Sequence, residues 1–221
     1  MKLRRATLSE DAYGVIRGIL LDTTRFRPGD KISVEQLGRD LGVSRSPVWS
    51  AISRLEAEGF VNVSPRKGVF LIGFEPEKLR ALFEVREALE CMATRLAALR
   101  MTEAELKSAA DSITRQRAAF RNKDVAAYSV ATLAFHEAVT NAARNPMIAR
   151  QLSAIYDQVH AICGGRLAKI GWPGRRLNIE DHAKLVAELR HRDVDAAERI
   201  ARAHARRLAD GVLNMLEAPP T

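Results

Sequence analysis

The chain has 221 residues, of which 47% are hydrophobic and 28% charged, so it can bury a core and is not a disordered protein. Its formal net charge of +8 favours a polyanionic partner, and the excess is split evenly between residues 1–73 and 74–221. No apolar run approaches the ~18 residues of a membrane span, and no secretory signal is evident. Cys91 and Cys163 fit no disulfide or metal spacing. We therefore expect a cytoplasmic protein with no membrane partner.

Three short helices are predicted at the start of the chain. The periodicity of apolar residues predicts them over 9–22, 33–41 and 44–58. Ser9, Ser33 and Ser44 are the residues expected to cap them, because a serine hydroxyl accepts from the free amides of a first turn. Gly42 follows the second helix, where a left-handed residue commonly ends a helix.

Two apolar runs, 60–63 and 69–72, follow these helices and are rich in strand-forming residues. The loop between them contains the adjacent cations Arg66 and Lys67. This pattern predicts a β-hairpin with a basic tip. The order helix, helix, helix, hairpin is that of a winged helix-turn-helix.

Residues 74–221 read almost entirely as helix. Six helices are predicted, over 76–99, 102–121, 124–143, 146–169, 176–190 and 193–217. Thr102, followed by an acid three residues later, is typical of a capping box. The predicted fold class is therefore mainly α, with an N-terminal winged helix-turn-helix domain over 1–73 and a C-terminal all-α helical bundle over 74–221.

The second helix of a helix-turn-helix enters the major groove, so residues at its start are expected to face base edges. Arginine can bind guanine with two hydrogen bonds, and hydroxyls bind bases or phosphates. Cations at the hairpin tip suit phosphates or the minor groove, and a glycine there allows close approach. The DNA-binding candidates are Ser44, Arg45, Ser46, Val48, Trp49, Arg54, Arg66, Lys67 and Gly68. For Arg54 an ion pair within the domain is an equal alternative.

The first part of the chain resembles the DNA-binding domain of GntR-type bacterial transcription regulators. The resemblance is carried by Pro28-Gly29, the run 37–48, the run 55–61 and the run 66–70, in the family's order and spacing. Family members usually have an arginine directly after the Pro-Val pair, where this chain has Trp49. Trp49 would either contact thymine methyls and sugars or pack within the domain.

Three of the five histidines, His136, His182 and His204, lie within different predicted helices. Three neutral imidazoles from three helices can converge inside a bundle, and imidazole suits Zn²⁺ and Ni²⁺. A histidine on a helix is more often a surface or hydrogen-bonded core residue, so this spacing alone does not decide between the two interpretations.

The run 83–90, Phe135-His136, Asn145-Pro146, His182 and His204 resemble the FCD effector domain of the FadR subfamily. The resemblance implies a homodimer and a divalent metal, such as zinc, nickel or manganese, held by an aspartate and these three histidines. Thr132 stands at the aspartate's position, one helical turn before His136. The implied site therefore has three protein ligands and an opening for water or an effector carboxylate.

The resemblance also implies an effector pocket, lined by Arg86, Thr132 and the three histidines. A buried arginine binds a carboxylate well, although Arg86 could instead pair with Glu90 one helical turn away. The alternative to a metal is a polar pocket in which the histidines hydrogen-bond an anionic ligand directly.

Together these expectations predict a ligand-responsive transcription regulator that binds double-stranded operator DNA as a homodimer. Its effector is expected to be a small organic acid. Repression is the more common mode of action in the family that it resembles. One alternative is a metal-dependent hydrolase with a three-histidine site. We find no general base or HExxH motif and do not expect an enzyme. The other alternative is an architectural DNA-binding protein without an effector, whose histidines would be scattered over the surface.

Overall fold

The computed structural model describes residues 5–22, 25–72, 75–163 and 171–217, with side chains placed over 8–22, 25–72, 75–160 and 171–215. The chain divides into two compact units. One comprises Met1–Glu75 and Tyr156–Leu167, and the other Pro76–Ile155 and Ala168–Thr221. The domain boundary that the sequence places after residue 73 remains a prediction.

The first unit contains three helices and a small sheet before its second chain segment. In chain order these are α1 (Arg5–Leu21), β1 (Lys31–Ile32), α2 (Val34–Leu41), α3 (Arg45–Ala57), β2 (Val61–Ser64) and β3 (Gly68–Leu71). The strands are antiparallel in the order β1-β3-β2, and Val61 opposes Leu71 while Ser64 opposes Gly68. The predicted winged helix-turn-helix is confirmed.

Helix α1 packs against α3. Ile16 and Leu20 of α1 meet Ile52 and Leu55 of α3 in a core that Phe60 closes, and all five are buried. Each such side chain contributes about 1.5–3 kcal/mol when buried. This core holds the polar start of α3 at the surface.

The turn between α2 and α3 is set by local backbone chemistry. The Ser33 hydroxyl accepts from the Gln36 amide at 3.2 Å and caps α2. Gly42 ends α2 with φ 64°, a left-handed conformation that glycine adopts without strain. A Cβ on Gly38 would lie 3.2 Å from the Val43 carbonyl oxygen, so a small residue allows this close turn.

In the first unit, the prediction that Ser9 caps a helix was wrong, and one strand was not predicted. Helix α1 begins at Arg5, so Ser9 lies inside the helix and does not cap it. Strand β1 was missed because its two residues, Lys31 and Ile32, form a strand only by pairing with the distant Phe70 and Val69.

The second unit is helical throughout its described residues. Its helices are α4 (Pro76–Arg100), α5 (Glu103–Asn122), α6 (Val125–Ala142), α8 (Trp172–His191), α9 (Val194–Glu217) and the first part of α7 (Pro146–Cys163). Helix α4 packs against α6, α8 and α9, and α5 against α6 and α8. The predicted capping box is confirmed, since Thr102 accepts from the Glu105 amide and Glu105 accepts from the Thr102 amide.

Helix α8 begins at Trp172 rather than at the predicted residue 176. Gly171 occupies the capping position and Pro173 lies in the first turn, where a missing N–H costs little. The end predicted for the helix that begins at Pro146 lies outside the described residues. None of the described helices combines the length and the apolar character that crossing a membrane requires.

Candidate DNA-binding surface and histidine cluster

The start of α3 presents polar side chains to solvent. Ser44 occupies the capping position, but its hydroxyl makes no capping bond among the described residues, so it is available to a ligand. Ser46 is exposed, and the Arg45 side chain is 74% exposed, with its nearest carboxylate oxygen, on Glu35, 3.6 Å away. Such exposed pairs contribute about 0–1 kcal/mol, so Arg45 can exchange Glu35 for DNA at little cost.

Trp49 lies one turn further along α3 and is 42% exposed. Its indole is therefore only partly covered by its own domain, and part of it is open to a ligand. The neighbouring Val48 is fully buried in the core, so the expectation that Val48 faces base edges was wrong. Adjacent residues on a helix face different directions, and only one of the two can face the groove.

Arg54 is engaged within its own domain. Its Nε donates to Glu58 Oε1 at 3.0 Å, and its guanidinium lies 3.8 Å from the centre of the Tyr13 ring. The Tyr13 hydroxyl donates to the same Glu58 carboxylate at 2.6 Å. These contacts favour the intradomain ion pair over the phosphate contact, which stays an untested prediction.

The hairpin between β2 and β3 carries Arg66 and Lys67 at its exposed tip. Arg66 has φ 63° and Gly68 φ 116°, so the turn needs left-handed residues at both positions. A Cβ on Gly68 would lie 2.9 Å from Lys31 Cε. The lysine side chain can move away, so the local cause for glycine at this position is its left-handed φ, in addition to any approach to DNA.

In the second unit, His136 of α6, His182 of α8 and His204 of α9 converge, as the sequence suggested. Each offers a ring nitrogen, and these three atoms lie within 4.8 Å of one another. The ring of Phe135 stacks on His182 with centroids 4.0 Å apart. His182 and His204 are buried and His136 is largely so. The three imidazoles therefore face one another inside the bundle.

Gln116 of α5 determines which nitrogen of His182 faces the cluster. Its amide nitrogen donates to the Ala131 carbonyl oxygen at 3.3 Å, so its Oε1 is the atom that faces His182 Nδ1, 2.9 Å away. Because an amide oxygen only accepts, Nδ1 of the neutral ring must carry the proton. His182 Nε2 is then left with a lone pair.

His204 is oriented in the same way by a carboxylate. Asp181 Oδ2 lies 3.3 Å from His204 Nδ1 and also accepts from Arg207 Nη1. Burial alone would raise the pKa of Asp181, but the hydrogen bonds from His204 and Arg207 outweigh it and lower the pKa. An ionised Asp181 keeps the His204 proton on Nδ1, as in carboxylate–histidine–metal arrangements.

Burial keeps His136 and His182 neutral. It lowers the pKa of His136 to about 3, with a further contribution from the Arg86 charge that opposes the effect of Glu90. It also lowers the pKa of His182 well below its usual value, helped by the positive charge of Arg86. Neutral imidazoles are the form that binds a metal ion.

Two nitrogens of this cluster are buried without a partner. His182 Nε2 and His204 Nε2 make no hydrogen bond to any described residue. Buried polar atoms are rarely left in this state, and a bound ion or water is a common reason. A lone pair on each Nε2 requires a cation or a hydrogen-bond donor in the space between them.

Arg86 is buried in α4, where its Nε donates to Glu90 Oε1 at 2.9 Å. Glu90 Oε1 is also 3.9 Å from His136 Nδ1. The pair with Glu90, which the sequence left open as the alternative, is present. Arg86 and Glu90 thus form one wall beside the histidines.

Sequence reasoning missed two residues that shape this cluster, namely Gln116 and Asp181. Asp181 directly precedes His182, but it acts on His204 of another helix, which sequence spacing does not indicate. Gln116 is 66 residues from His182 and carries no motif. Only the fold brings these partners together.

Comparison with known proteins places this geometry in a family. Residues 8–71 match the bacterial regulatory proteins of the gntR family, and residues 81–207 match the FCD domain. The chain is 30% identical over 199 residues to the Nta operon transcriptional regulator of Aminobacter aminovorans, covering 89% of this chain and 90% of that protein. This chain belongs to the GntR family of transcription regulators.

A second relative and a solved structure extend the comparison. The HTH-type transcriptional repressor RspR of Escherichia coli K12 is 25% identical over 208 residues, covering 93% of this chain and 89% of that protein. The solved structure of E. coli McbR/YncC has a TM-score of 0.77 at 19% identity, covers 95% of this chain and 99% of that one, and shows the shared fold.

As a GntR-family member with an FCD effector-binding domain, the chain is a transcription regulator and not an enzyme. The buried convergence of His136, His182 and His204 also counts against the architectural alternative, which required histidines scattered over the surface. DNA binding by the first unit does not explain why these ring nitrogens are buried together.

Proposed function

We propose that this GntR-family regulator binds operator DNA through residues 1–73 and, through residues 74–221, a divalent metal and a small organic acid. The observation that carries the proposal is a pair of nitrogens beside His136, His182 Nε2 and His204 Nε2, which bear lone pairs and have no partner in the described part of the chain. The DNA contacts are assigned to exposed groups of the first unit, namely Ser44, Arg45, Ser46, Trp49, Arg66 and Lys67.

The three histidines fit a divalent ion. With ring nitrogens no more than 4.8 Å apart, one point lies within about 2.8 Å of all three, and small ring rotations reach the ~2.0–2.1 Å of a zinc–nitrogen bond. The hydrogen bonds from Gln116 and Asp181 supply the orienting contacts that metal-binding histidines normally have. Zinc, nickel and manganese are the candidate ions.

The protonation of the cluster favours a metal over the metal-free alternative. In that alternative the histidines would hydrogen-bond an anion directly, which requires N–H groups facing the pocket. Here the protons of His182 and His204 face Gln116 and Asp181, and the inward nitrogens carry lone pairs. Lone pairs repel a carboxylate and attract a cation.

A divalent ion held by three histidines supplies positive charge and an open coordination position, which suits the carboxylate of an organic acid. Thr132 adds no charge where the FCD pattern has an aspartate, so the site keeps its full positive charge for an anionic ligand. Ligand binding then biases the placement of two DNA-binding domains in a homodimer on a pseudo-palindromic operator, relieving repression. A regulator of this kind acts on DNA in the bacterial cytoplasm.

The metal content of untagged protein, purified without chelator, tests this proposal. We expect about one zinc, nickel or manganese ion per chain, retained after dialysis. His182→Ala should lose it, whereas His191→Ala, an exposed histidine at the end of the same helix, should keep it. A wild-type protein that neither contains nor takes up any of these ions would contradict the metal site.

Thr132→Asp sharpens this test, because it should increase metal affinity rather than remove it. An aspartate one turn before His136 adds a fourth, anionic ligand on the same face of α6. Metal affinity, measured by competition with a chromophoric chelator, should rise at least tenfold. An affinity equal to that of the wild type would mean that residue 132 does not face the ion.

A further inference from the structure

The outer surface of the second unit has a groove between α8 and α9. Its volume is about 370 Å³, which is within the range of small-molecule sites. The lining residues are Asp181, Lys184, Ala196, Arg199, Ile200, Ala203 and Arg207. Asp181 and Arg207 also belong to the hydrogen bonding of His204, but the DNA-binding surface and the histidine cluster do not account for Lys184 and Arg199.

The groove is rich in positive charge. It holds three cations, Lys184, Arg199 and Arg207, and a single carboxylate, Asp181. Asp181 already accepts from His204 and Arg207. Lys184 and Arg199 make no ion pair or hydrogen bond within the described part of the chain. The groove therefore has two cations to spare, placed to face a ligand from both helices.

We propose that the groove binds a small dianion, either a phosphate group or a pair of neighbouring carboxylates. Lys184 from one side and Arg199 and Arg207 from the other converge on a concave site, as in the charge-assisted recognition of such anions. Ala196 and Ala203 leave room between them, since longer side chains at these positions would fill the groove.

The same site also acts on the histidine cluster through Arg207 and Asp181. Arg207 Nη1 and His204 Nδ1 donate to the same oxygen, Asp181 Oδ2. If an anion draws Arg207 into the groove, Asp181 Oδ2 accepts from His204 alone. The stronger hydrogen bond makes the His204 imidazole a stronger ligand for a metal ion. The dianion also adds negative charge near the cluster, so both effects favour a cation there. This coupling, unlike the groove itself, rests on the proposed metal site.

The binding claim is tested on full-length protein from which metal has been removed, so that its outcome is independent of the metal site. Sulfate, a dianion that binds metals weakly, is titrated calorimetrically at constant ionic strength. We expect one saturable site per chain. Lys184→Gln and Arg199→Gln should each weaken binding about tenfold or more, since each loses a charge-assisted contact. Ala203→Glu should abolish it.

Lys107→Gln and Arg117→Gln, which remove exposed cations of α5, are the matched controls and should leave sulfate binding unchanged. Titration with inorganic phosphate and with succinate then distinguishes the two dianion chemistries. A non-saturable response, or an equal response in all five variants, would identify an adventitious ion only and overturn the site.

The coupling claim is tested by measuring zinc affinity with and without saturating sulfate. We expect sulfate to raise zinc affinity at least about fivefold in the wild type and to have no effect in Ala203→Glu, which does not bind sulfate. An unchanged zinc affinity in the wild type would overturn the coupling. A protein that binds no zinc would overturn the proposed function, while the sulfate titration would still decide on the groove.

Discussion

The start of α3 and the histidine cluster hold their functional groups in opposite ways. Arg45 and Ser46 are exposed, and their position depends on the backbone of α3 rather than on contacts of their own. His182 and His204 are buried, and each has one nitrogen fixed by a hydrogen bond and the other without a partner among the described residues. The first arrangement serves a large, polar ligand that arrives from solvent, and the second serves a small ion.

This difference has an energetic consequence. Substitution of an exposed residue removes a contact with the ligand and leaves the fold unchanged. Substitution of a buried hydrogen-bonding residue affects stability and binding together, because the partner it leaves behind is desolvated. The two regions should therefore respond differently when stability and ligand affinity are measured on the same variants.

Gln116→Leu should give the largest effect. The substitution removes the acceptor of His182 Nδ1–H, so the proton can move to Nε2. A protonated Nε2 has no lone pair with which to bind a metal ion. We expect metal affinity to fall about 10–100-fold and stability to fall by ~1–3 kcal/mol. Chelator competition and chemical unfolding measure the two effects, and the exposed Gln151→Leu is the control. Normal metal binding by Gln116→Leu would show that this hydrogen bond does not orient His182.

Arg45→Ala should affect one property only. If Arg45 reads a base, operator affinity falls by ~1–3 kcal/mol while stability changes by less than ~0.5 kcal/mol. Fluorescence anisotropy on an operator selected from genomic fragments measures the affinity, with Arg115→Ala of α5 as the control. An unchanged affinity for the true operator would remove Arg45 from the DNA contacts.

Arg54→Ala should give the smallest effect. In contrast to Arg45→Ala, it should lower stability and not operator affinity. Its contacts with Glu58 and Tyr13 are half exposed, so solvent screening limits their loss to about 0.5 kcal/mol of stability. Operator affinity should stay within about twofold of the wild type. A larger loss of DNA affinity than of stability would instead assign Arg54 to the phosphate backbone.

The same contrast explains how much could be predicted from the sequence. The α2–α3 turn was predictable because Ser33 and Gly42 act within a few residues of their own positions. Strand β1 was not, because Lys31 and Ile32 become a strand only by pairing with residues almost 40 positions away. Local chemistry is readable from the sequence, and long-range pairing is not.

The candidate site follows the same rule. The three histidines were found through a family resemblance rather than through spacing, because their helices are far apart in sequence. Gln116 and Asp181 were missed because their role depends on which ring atom they face in the folded chain. Val48 was misassigned because the sequence did not reveal which face of α3 the core covers.

The most direct test of the account is X-ray absorption spectroscopy of the metal-loaded, full-length protein. The account predicts a first shell that includes three imidazole nitrogens at ~2.0–2.1 Å, with the remaining positions taken by oxygen. His204→Ala should reduce the imidazole contribution to two. A metal bound by one imidazole or none, or a spectrum unchanged in His204→Ala, would contradict the claim that His136, His182 and His204 hold the ion together.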